Sequence, residues 1–347
     1  MIESALLLLF SLVLILGACE LFINGLEWTG YKLRLNEGVV GSIFAAVGTA
    51  MPETMIPLIA VFFQRDGVHG SSVGIGAILG APFMLATLAM FVSGLTVAIL
   101  ALRGQRGLRL NVNTSILSRD IRFFVAAFSV AIAAAVVEGF IWKLLAVLTE
   151  VVLYVIYVYR HATDVHEAQE EVELDALHFA RKAVEPHLRI VFLQVLFGIL
   201  FIVLGAYLFV ENIVVVAEGL GMPALLLSLI VAPIATELPE KFNSILWISR
   251  GKDTLALGNV TGAMVFQSAI PTTLGILLTD WAITSQSIYG FASVAVAFAS
   301  VFSVFGPMHL RNRLTATMLL FGGFWYVAYF GYLWIAGYLQ LLSEAPR

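Results

Sequence analysis

Charge is scarce in this chain. Only 12% of its 347 residues are Asp, Glu, Lys or Arg, 60% are hydrophobic, and the mean hydropathy is +0.96. So apolar a composition excludes a soluble domain of this size and points to an integral membrane protein whose solvent is the lipid bilayer. The 19 Lys and Arg are thinly spread under a net charge of −4, which excludes a nucleic-acid partner. The one cysteine, Cys19, excludes an internal disulfide. Residues 1–20 also lack the basic leader of a secretory signal, since their early charge is Glu3. LGAC at 16–19 is therefore read as part of a retained transmembrane helix and not as a lipoprotein cleavage site. No nucleotide-binding loop is present, so no ATP site and no prosthetic cofactor is expected, and the chain does not read as an enzyme.

What is there is a series of long apolar runs. A membrane span takes about 20 mostly apolar residues, and ten such segments are legible: 4–28, 37–63, 72–101, 121–139, 141–159, 189–213, 222–249, 254–278, 282–305 and 314–341. The odd-numbered loops between them hold 15 Lys and Arg, the even-numbered loops and the C-terminal end three. By the positive-inside rule, both termini are expected outside and the odd loops in the cytoplasm. The longest polar segment, 161–188, then lies in the cytoplasm and separates a first repeat, 1–160, from a second, 189–347. Its histidines and carboxylates show no diagnostic metal spacing, and it reads as a solvated connector.

The two halves resemble each other. GTAMPETM (48–55) lines up with ATELPEKF (235–242), both reading Thr-x-x-Pro-Glu. Upstream, LGACELFING (16–25) lines up with LGAYLFVENI (204–213). Downstream, GIGAILGAPFML (74–85) lines up with ALGNVTGAMVFQ (256–267). Three matches in the same order indicate a tandem duplication. Five spans is an odd number, so the second copy enters the membrane in the opposite sense. The expected architecture is an all-α polytopic membrane protein with about ten transmembrane helices in two inverted five-helix repeats, which places a substrate site near the midplane.

The Thr-x-x-Pro-Glu segments carry the chemistry. A proline inside a helix leaves a carbonyl without its donor, so Pro52 and Pro239 are expected to break their spans, with Pro57 and Pro233 loosening them further. The freed carbonyls are expected near Ala46 and Pro233. Thr49 and Glu53 are four residues apart, as are Thr236 and Glu240, so each pair shares a helix face. Hydroxyl, carboxylate and carbonyl are hard oxygen donors that suit Ca2+ or Na+. The second copy adds Glu237, one turn before Glu240, and Gln267 on the following span; Lys241 is available to pair with Glu240. Gly76, Gly80, Gly258 and Gly262 read as helix-packing positions, and Asn259 as either an ion contact or an interhelical bridge. Glu20, Glu27, Glu138, Glu150 and Glu211 are read as interfacial and are assigned no role.

These motifs resemble the calcium/cation antiporter superfamily, which includes the sodium/calcium exchangers. Its two inverted repeats carry segments close to Gly-Thr-Ser-x-Pro-Glu, followed by a helix with Gly-Asn-x-x-Gly-Ser-Asn-x-Phe-Asn/Asp. GTAMPE (48–53), ATELPE (235–240) and GNVTGAMVFQ (258–267) are the corresponding stretches here. The resemblance implies that Glu53 and Glu240 are the central ion ligands, with Thr49, Thr236 and backbone carbonyls near Ala46 and Pro233 completing the set. Gln267 stands where the family has Asn or Asp. It further implies that the first and sixth spans move together across a fixed core of the other eight.

The chain departs from that pattern at Ala50 and Glu237, at Ala81-Pro82 and Ala263-Met264, and at Leu85, the counterpart of Gln267. Neutral oxygens are lost and a carboxylate is gained. The function this implies is a secondary antiporter of the plasma membrane, suited to a prokaryote, that exports Ca2+ in exchange for Na+ by alternating access. H+ is the alternative counter-ion, because clustered carboxylates in low dielectric hold protons. A passive channel is distinguished by flux without a counter-ion, and a cation sensor acting through 161–188 by loss of binding when that loop is deleted. A monomer is compatible with the sequence, which does not itself fix the oligomeric state.

Overall fold

The computed structural model describes residues 1–33, 45–63, 67–164, 175–284 and 287–344, with side chains described for all of these except 45–52, 67–69, 162–164, 235, 238–240 and 337–344. The chain is helical almost throughout. Its order is α1 (Ile2–Lys32), α2 (Ala45–Phe63), α3 (Gly67–Met84), a π-turn (Leu85–Ala89), α4 (Met90–Leu102), β1 (Arg109–Leu110), α5 (Thr114–Val136), α6 (Phe140–Asp164), a 3-10 turn (His178–Ala180), α7 (Leu188–Leu220), α8 (Ala224–Thr236), α9 (Leu238–Ser249), α10 (Asp253–Gln267), α11 (Ile270–Leu278), α12 (Ile288–Arg311), β2 (Leu314–Thr315) and α13 (Ala316–Glu344). Among the described residues, seven helical runs are long and apolar enough to cross a membrane, and Glu53–Phe63 and Ala224–Ile234 are shorter apolar helices. Their large exposed side chains, among them Leu6, Phe10, Val13, Phe192, Leu196 and Leu200, form the apolar exterior expected of a bundle surrounded by hydrocarbon.

The breaks between helices have local causes. Asn113 caps α5, its side-chain oxygen accepting from the amides of Ser115 and Ile116. Gly139, at φ +103°, turns the chain between α5 and α6, in the short gap that the sequence places near Glu138-Gly139. Gly221, at φ +65°, ends α7 in the left-handed conformation, and Pro223 immediately precedes α8.

The buried residues form two main apolar clusters. One joins α1 and α7 to the inner faces of α2, α3 and α8; the other fills the space between α3, α4, α5, α6, α8 and α10 to α13. Helices α1 and α7 run antiparallel along their whole length, with Gly25 opposite Val195, Gly198 opposite Phe22 and Gly205 opposite Ile15. At about 1.5 Å per residue, their 31 and 33 residues exceed a hydrocarbon core of about 30 Å, which calls for tilt or protruding ends. A second close seam lets the backbone of α8 approach α3, where Gly76 faces the Leu225 carbonyl and Gly80 the Leu229 carbonyl and the Pro233 ring. Small residues are what permit such contact where the bilayer supplies no hydrophobic drive.

Polar contacts tie the loops. Arg106 forms a two-pronged bond with Asp253 at 2.8 and 2.6 Å, and the Asn111 amide donates to the same carboxylate at 2.7 Å. The bond to Asp253 raises the Arg106 pKa further above its usual value, so the guanidinium stays charged. Antiparallel β1 and β2 pair Arg109 with Thr315 and Leu110 with Leu314, clasping the loop after α4 to the loop after α12.

The α1–α7 seam generates a test. A methyl group at Gly198 would meet Phe22 Cβ, Cα and N at 2.8 to 3.0 Å, and backbone cannot yield there; at Gly17 nothing lies within 4 Å. Gly198→Leu should therefore destabilise the protein by about 1–3 kcal/mol or more through overpacking. Gly17→Ala should be neutral. Thermal unfolding of the purified variants in detergent checks both.

Candidate ion-binding site

The segments that carry the signature residues pack on one another. Helix α2, bearing Glu53, contacts α3, α8, α10 and α11; α8 also contacts α3, and α10 contacts α9, where the Ser244 hydroxyl donates to the Ala256 carbonyl at 3.3 Å. Glu53, Thr236, Glu237 and Gln267 are all buried, at 6%, 4%, 0% and 3% exposure. Pro233 is buried as well. The backbones of Ala46, Thr49 and Glu240 belong to α2 and α9, and their side chains lie outside the described residues.

The prolines do not act alike in the two Thr-x-x-Pro-Glu segments. Helix α8 ends at Thr236, Glu237 is the hinge residue at φ −97° and ψ 5°, and α9 restarts with Pro239 in its first turn. That is the break expected at Pro239. In the first copy α2 is continuous from Ala45 to Phe63 through both Pro52 and Pro57, so the expected break at Pro52 is not found. A proline costs a helix one hydrogen bond and crowds the carbonyl four residues back, here that of Gly48, and α2, held by packed neighbours, absorbs both at Pro52 as it does at Pro57.

The freed carbonyls move with this geometry. The Pro233 carbonyl, expected to be free, accepts from the Glu237 amide at 3.1 Å. The oxygens that lose an i+4 donor to proline are those of Gly48 and Glu53 in α2, and of Leu229 and Ala235 in the second copy. Leu229 O is the one packed against Gly80.

Charge is arranged unequally too. Lys241, available to Glu240 by sequence, donates to Glu237 at 3.0 Å, both side chains being buried. Four residues apart on adjoining turns, they share a face. Gln267 ends α10, and its Oε1 has no hydrogen-bond partner among the described residues. The amide nitrogen of half-buried Asn259 is likewise without one. No three His, Cys, Asp or Glu side chains cluster among the described residues, so the available donors there are carboxylate, amide, hydroxyl and carbonyl oxygens.

One acidic residue was misjudged from sequence. Glu20, Glu138 and Glu211 are exposed and Glu27 half-buried, as interfacial residues should be. Glu150 is fully buried between α6 and α11, taking hydrogen bonds from Thr273 at 2.8 Å and Thr272 at 3.2 Å. The signal was present: Glu150 stands at the centre of the 141–159 apolar run, with Val147, Tyr154 and Tyr157 on the same helical stripe.

The connector is anchored where it is described. The Asp175 carbonyl accepts from Trp28 Nε1 at 2.8 Å, the Phe179 amide donates to Gln194 at 2.9 Å, and Gln194 donates to Asn24 Oδ1 at 2.9 Å. These bonds fix residues 175–179 across α1 and α7. Residues 165–174 lie outside the described residues.

Comparison with known proteins agrees with the motifs. The chain matches the family described as sodium/calcium exchanger protein over residues 3–161 and 190–338. It belongs to that family. The putative antiporter CaxA of Alkalimonas amylolytica is 24% identical over 346 residues, 96% of this chain and 98% of that one. Sodium/potassium/calcium exchanger 1 of Mus musculus is 31% identical over 143 residues, 39% of this chain and 11% of the mouse protein. Among solved structures, the H+/Ca2+ exchanger CAX superposes with a TM-score of 0.69 at 17% identity, covering 93% of this chain and 81% of that one. The sodium-calcium exchanger NCX_Mj gives 0.57 at 15% identity, covering 95% and 98%. These superpositions establish a shared fold.

The Glu237–Lys241 pair is testable by itself. Removing one partner of a buried ion pair strands the other, at a cost of about 3–5 kcal/mol. Lys241→Met should therefore lower thermal stability strongly, and adding Glu237→Gln to Lys241→Met should recover much of the loss. A double-mutant cycle in detergent measures the coupling.

Proposed function

We propose that the chain is a secondary antiporter that exports Ca2+ in exchange for Na+ or H+ by alternating access. The observation that carries this reading is the pair of Thr-x-x-Pro-Glu segments on mutually packed helices, which bury Glu53, Thr236 and Gln267 in an apolar bundle. A carboxylate at such a depth is costly unless it serves an ion. In mechanism, Glu53 and Glu240 hold Ca2+ at the midplane, Thr49, Thr236 and Gln267 add neutral oxygens, and proline-freed carbonyls complete the shell. Glu237 enters already paired with Lys241, so three carboxylates and one ammonium leave two negative charges at the site, the charge of one divalent cation or two monovalent ones. The counter-ion enters the same ligand set and displaces Ca2+. Because bare carboxylates do not cross an apolar seam readily, only the occupied site lets the helices slide, and this enforces exchange.

The proposed topology is ten spans in two inverted repeats, 1–160 and 189–347, joined by a cytoplasmic connector at 161–188, with both termini outside in a prokaryotic plasma membrane. Loop contacts support it. Arg106 with Asp253, β1 with β2, and Lys32 with Glu185 each join two loops that the charge bias assigns to the cytoplasm. The Asp280 amide with Ser71, and the Ile283 amide with the Ala135 carbonyl, join loops or span ends assigned outside. The antiparallel course of α1 and α7, the first helices of the two copies, is what opposite insertion requires. H+ as counter-ion is favoured by the scarcity of neutral oxygens, Ala50, Ala81 and Ala263 standing where the family pattern has small polar residues.

Radiolabelled Ca2+ uptake into proteoliposomes tests the proposal. An outward Na+ gradient or a proton gradient should drive uptake in the wild type, and Glu53→Gln or Glu240→Gln should reduce it to the level of empty vesicles. Uptake that proceeds with no counter-ion gradient and is unchanged in both variants would overturn it in favour of a passive channel.

A further inference from the structure

Glu150 has no place in the mechanism above, yet it is as deeply buried as any group in the chain, at 0% exposure. It lies ten residues into α6, so about 15 Å along the helix, half the thickness of a hydrocarbon core. Both hydroxyls that reach it, Thr272 and Thr273, sit in the first turn of α11 and approach the same oxygen, Oε2. Oε1 has no hydrogen-bond partner among the described residues.

No counter-charge faces this carboxyl from the described elements packed against it. Helix α11 carries no ionisable residue. On α5 the charged groups are Arg119, Asp120 and Arg122, in its first turns, where Arg119 meets Asp120 and His161, at the far end of α6. On α10 the charged residue is Asp253, at its start and bound to Arg106. On α6 itself the nearest ionisable groups are Tyr154, one turn on, and Lys143, two turns back, where Lys143 lines a cleft with Glu138, Ala135 and Trp281. An unpaired carboxylate in hydrocarbon is expensive enough that it takes a proton or an ion.

The donor count favours the proton. The Thr272 hydroxyl has one hydrogen and three acceptors within reach: Ser268 O at 2.8 Å, Ala269 O at 2.9 Å and Glu150 Oε2 at 3.2 Å. If Glu150 carries a proton on Oε2, the contact reverses. The carboxyl donates to Thr272 Oγ1, Thr272 donates to a carbonyl at the helix break, and Thr273 donates to the carboxyl, so each hydrogen has its acceptor. A metal ion fits less well, because these oxygens already stand at direct hydrogen-bond distance from one another.

We propose that Glu150 is a proton-binding site, separate from the paired signature glutamates, through which protons couple to exchange. The proton adds to Oε2 and leaves from it, with no other bond made or broken. Its anchors connect it to the cation site, since Thr272 and Thr273 follow the Ser268-Ala269 break, five and six residues after Gln267. Loss of the proton reverses that contact: Thr272 turns its one hydrogen to the carboxylate and away from the carbonyls at the break. The cleft at Lys143 and Glu138 marks the end of α6 from which a proton arrives. The coupling role rests on the antiporter reading, whereas the proton site itself does not.

Infrared difference spectroscopy of the purified wild-type protein, titrated with pH in lipid, reads the site directly. The stretching band of a protonated carboxyl should be present at neutral pH, be absent in Glu150→Gln, and move to higher frequency in Thr272→Val, which removes the acceptor of the carboxyl's own proton. Reconstituted alongside, Glu150→Gln should lose at least tenfold more proton-driven Ca2+ uptake than Ca2+ self-exchange, with Thr149→Val, an exposed hydroxyl bonded within α6, as the unaffected control. A band unchanged in Glu150→Gln at every pH would overturn the proposal, as would a band that responds to Na+ and not to pH. Equal loss of both fluxes in a stably folded Glu150→Gln would overturn the coupling role. A wild type that shows the band but exchanges no Ca2+ under any gradient would instead overturn the antiporter reading and leave the proton site standing.

Discussion

Each polar group inside this bundle has to be satisfied by the chain itself or by an ion, because the hydrocarbon around it offers nothing. That constraint sorts the buried polar residues by what answers them. Ser11, Thr29, Thr87 and Ser93 return their hydroxyls to carbonyls of their own helices, and Ser300 to Ala86 O across a helix seam. Asp253 is met by an arginine, Glu237 by a lysine and Asp120 by Thr261 and Arg119. Among the groups the described bundle leaves incomplete are Gln267 Oε1, Asn259 Nδ2 and Glu150 Oε1, on helices α10 and α6, which flank the Ser268-Ala269 break. Incomplete satisfaction in an otherwise well-satisfied interior is where an ion has something to gain.

Close backbone approach is the second half of the same constraint. With no hydrophobic drive between apolar helices in lipid, cohesion comes from packing, and packing is densest where side chains vanish. The Gly25, Gly198 and Gly205 positions let α1 and α7 lie along each other as one antiparallel pair, with an apolar cluster distinct from that of the main bundle. Such a pair is built to stay together while its contacts with α2 and α8 change, which is how the proposed alternating access would use it. The connector strengthens that unit, since residues 175–179 bond to both Asn24 or Trp28 on α1 and Gln194 on α7.

Much of this was legible in the sequence. Apolar runs indicate the helices, Glu138-Gly139 marks the break between the fourth and fifth runs, and the twice-occurring Thr-x-x-Pro-Glu points to helices that meet. The misjudgements have physical causes. Pro52 reads as a break like Pro239, but one lost hydrogen bond interrupts a helix only where the packing around it lets the chain turn. Lys241 stands beside Glu240 in sequence and is available to it there, but helical periodicity places it over Glu237. Glu150 was taken as interfacial although it lies mid-span, because its partners, Thr272 and Thr273, are more than a hundred residues away and nothing local announces them.

The two halves that carry Thr-x-x-Pro-Glu differ in stiffness as well as in sequence. In the first copy, α2 is continuous through two prolines, and the helix after it passes Pro82 by a π-turn at Leu85–Ala89 without stopping. In the second, the corresponding helices are both interrupted, at Glu237 and at Ser268-Ala269. A helix break concentrates backbone rotation at one or two residues, whereas a π-turn keeps the hydrogen-bond ladder engaged and only shifts its register. Small rearrangements on ion binding are therefore cheaper in the second copy, and both of its breaks lie beside residues of the proposed site. Glu237 and Lys241 span the first break and Glu150 braces the second, so each flexible point is held by a buried carboxyl. The proposed inverted duplication would supply two equivalent openings in principle; the added carboxyl at Glu237 and the broken helices make the second half the one whose geometry responds to charge.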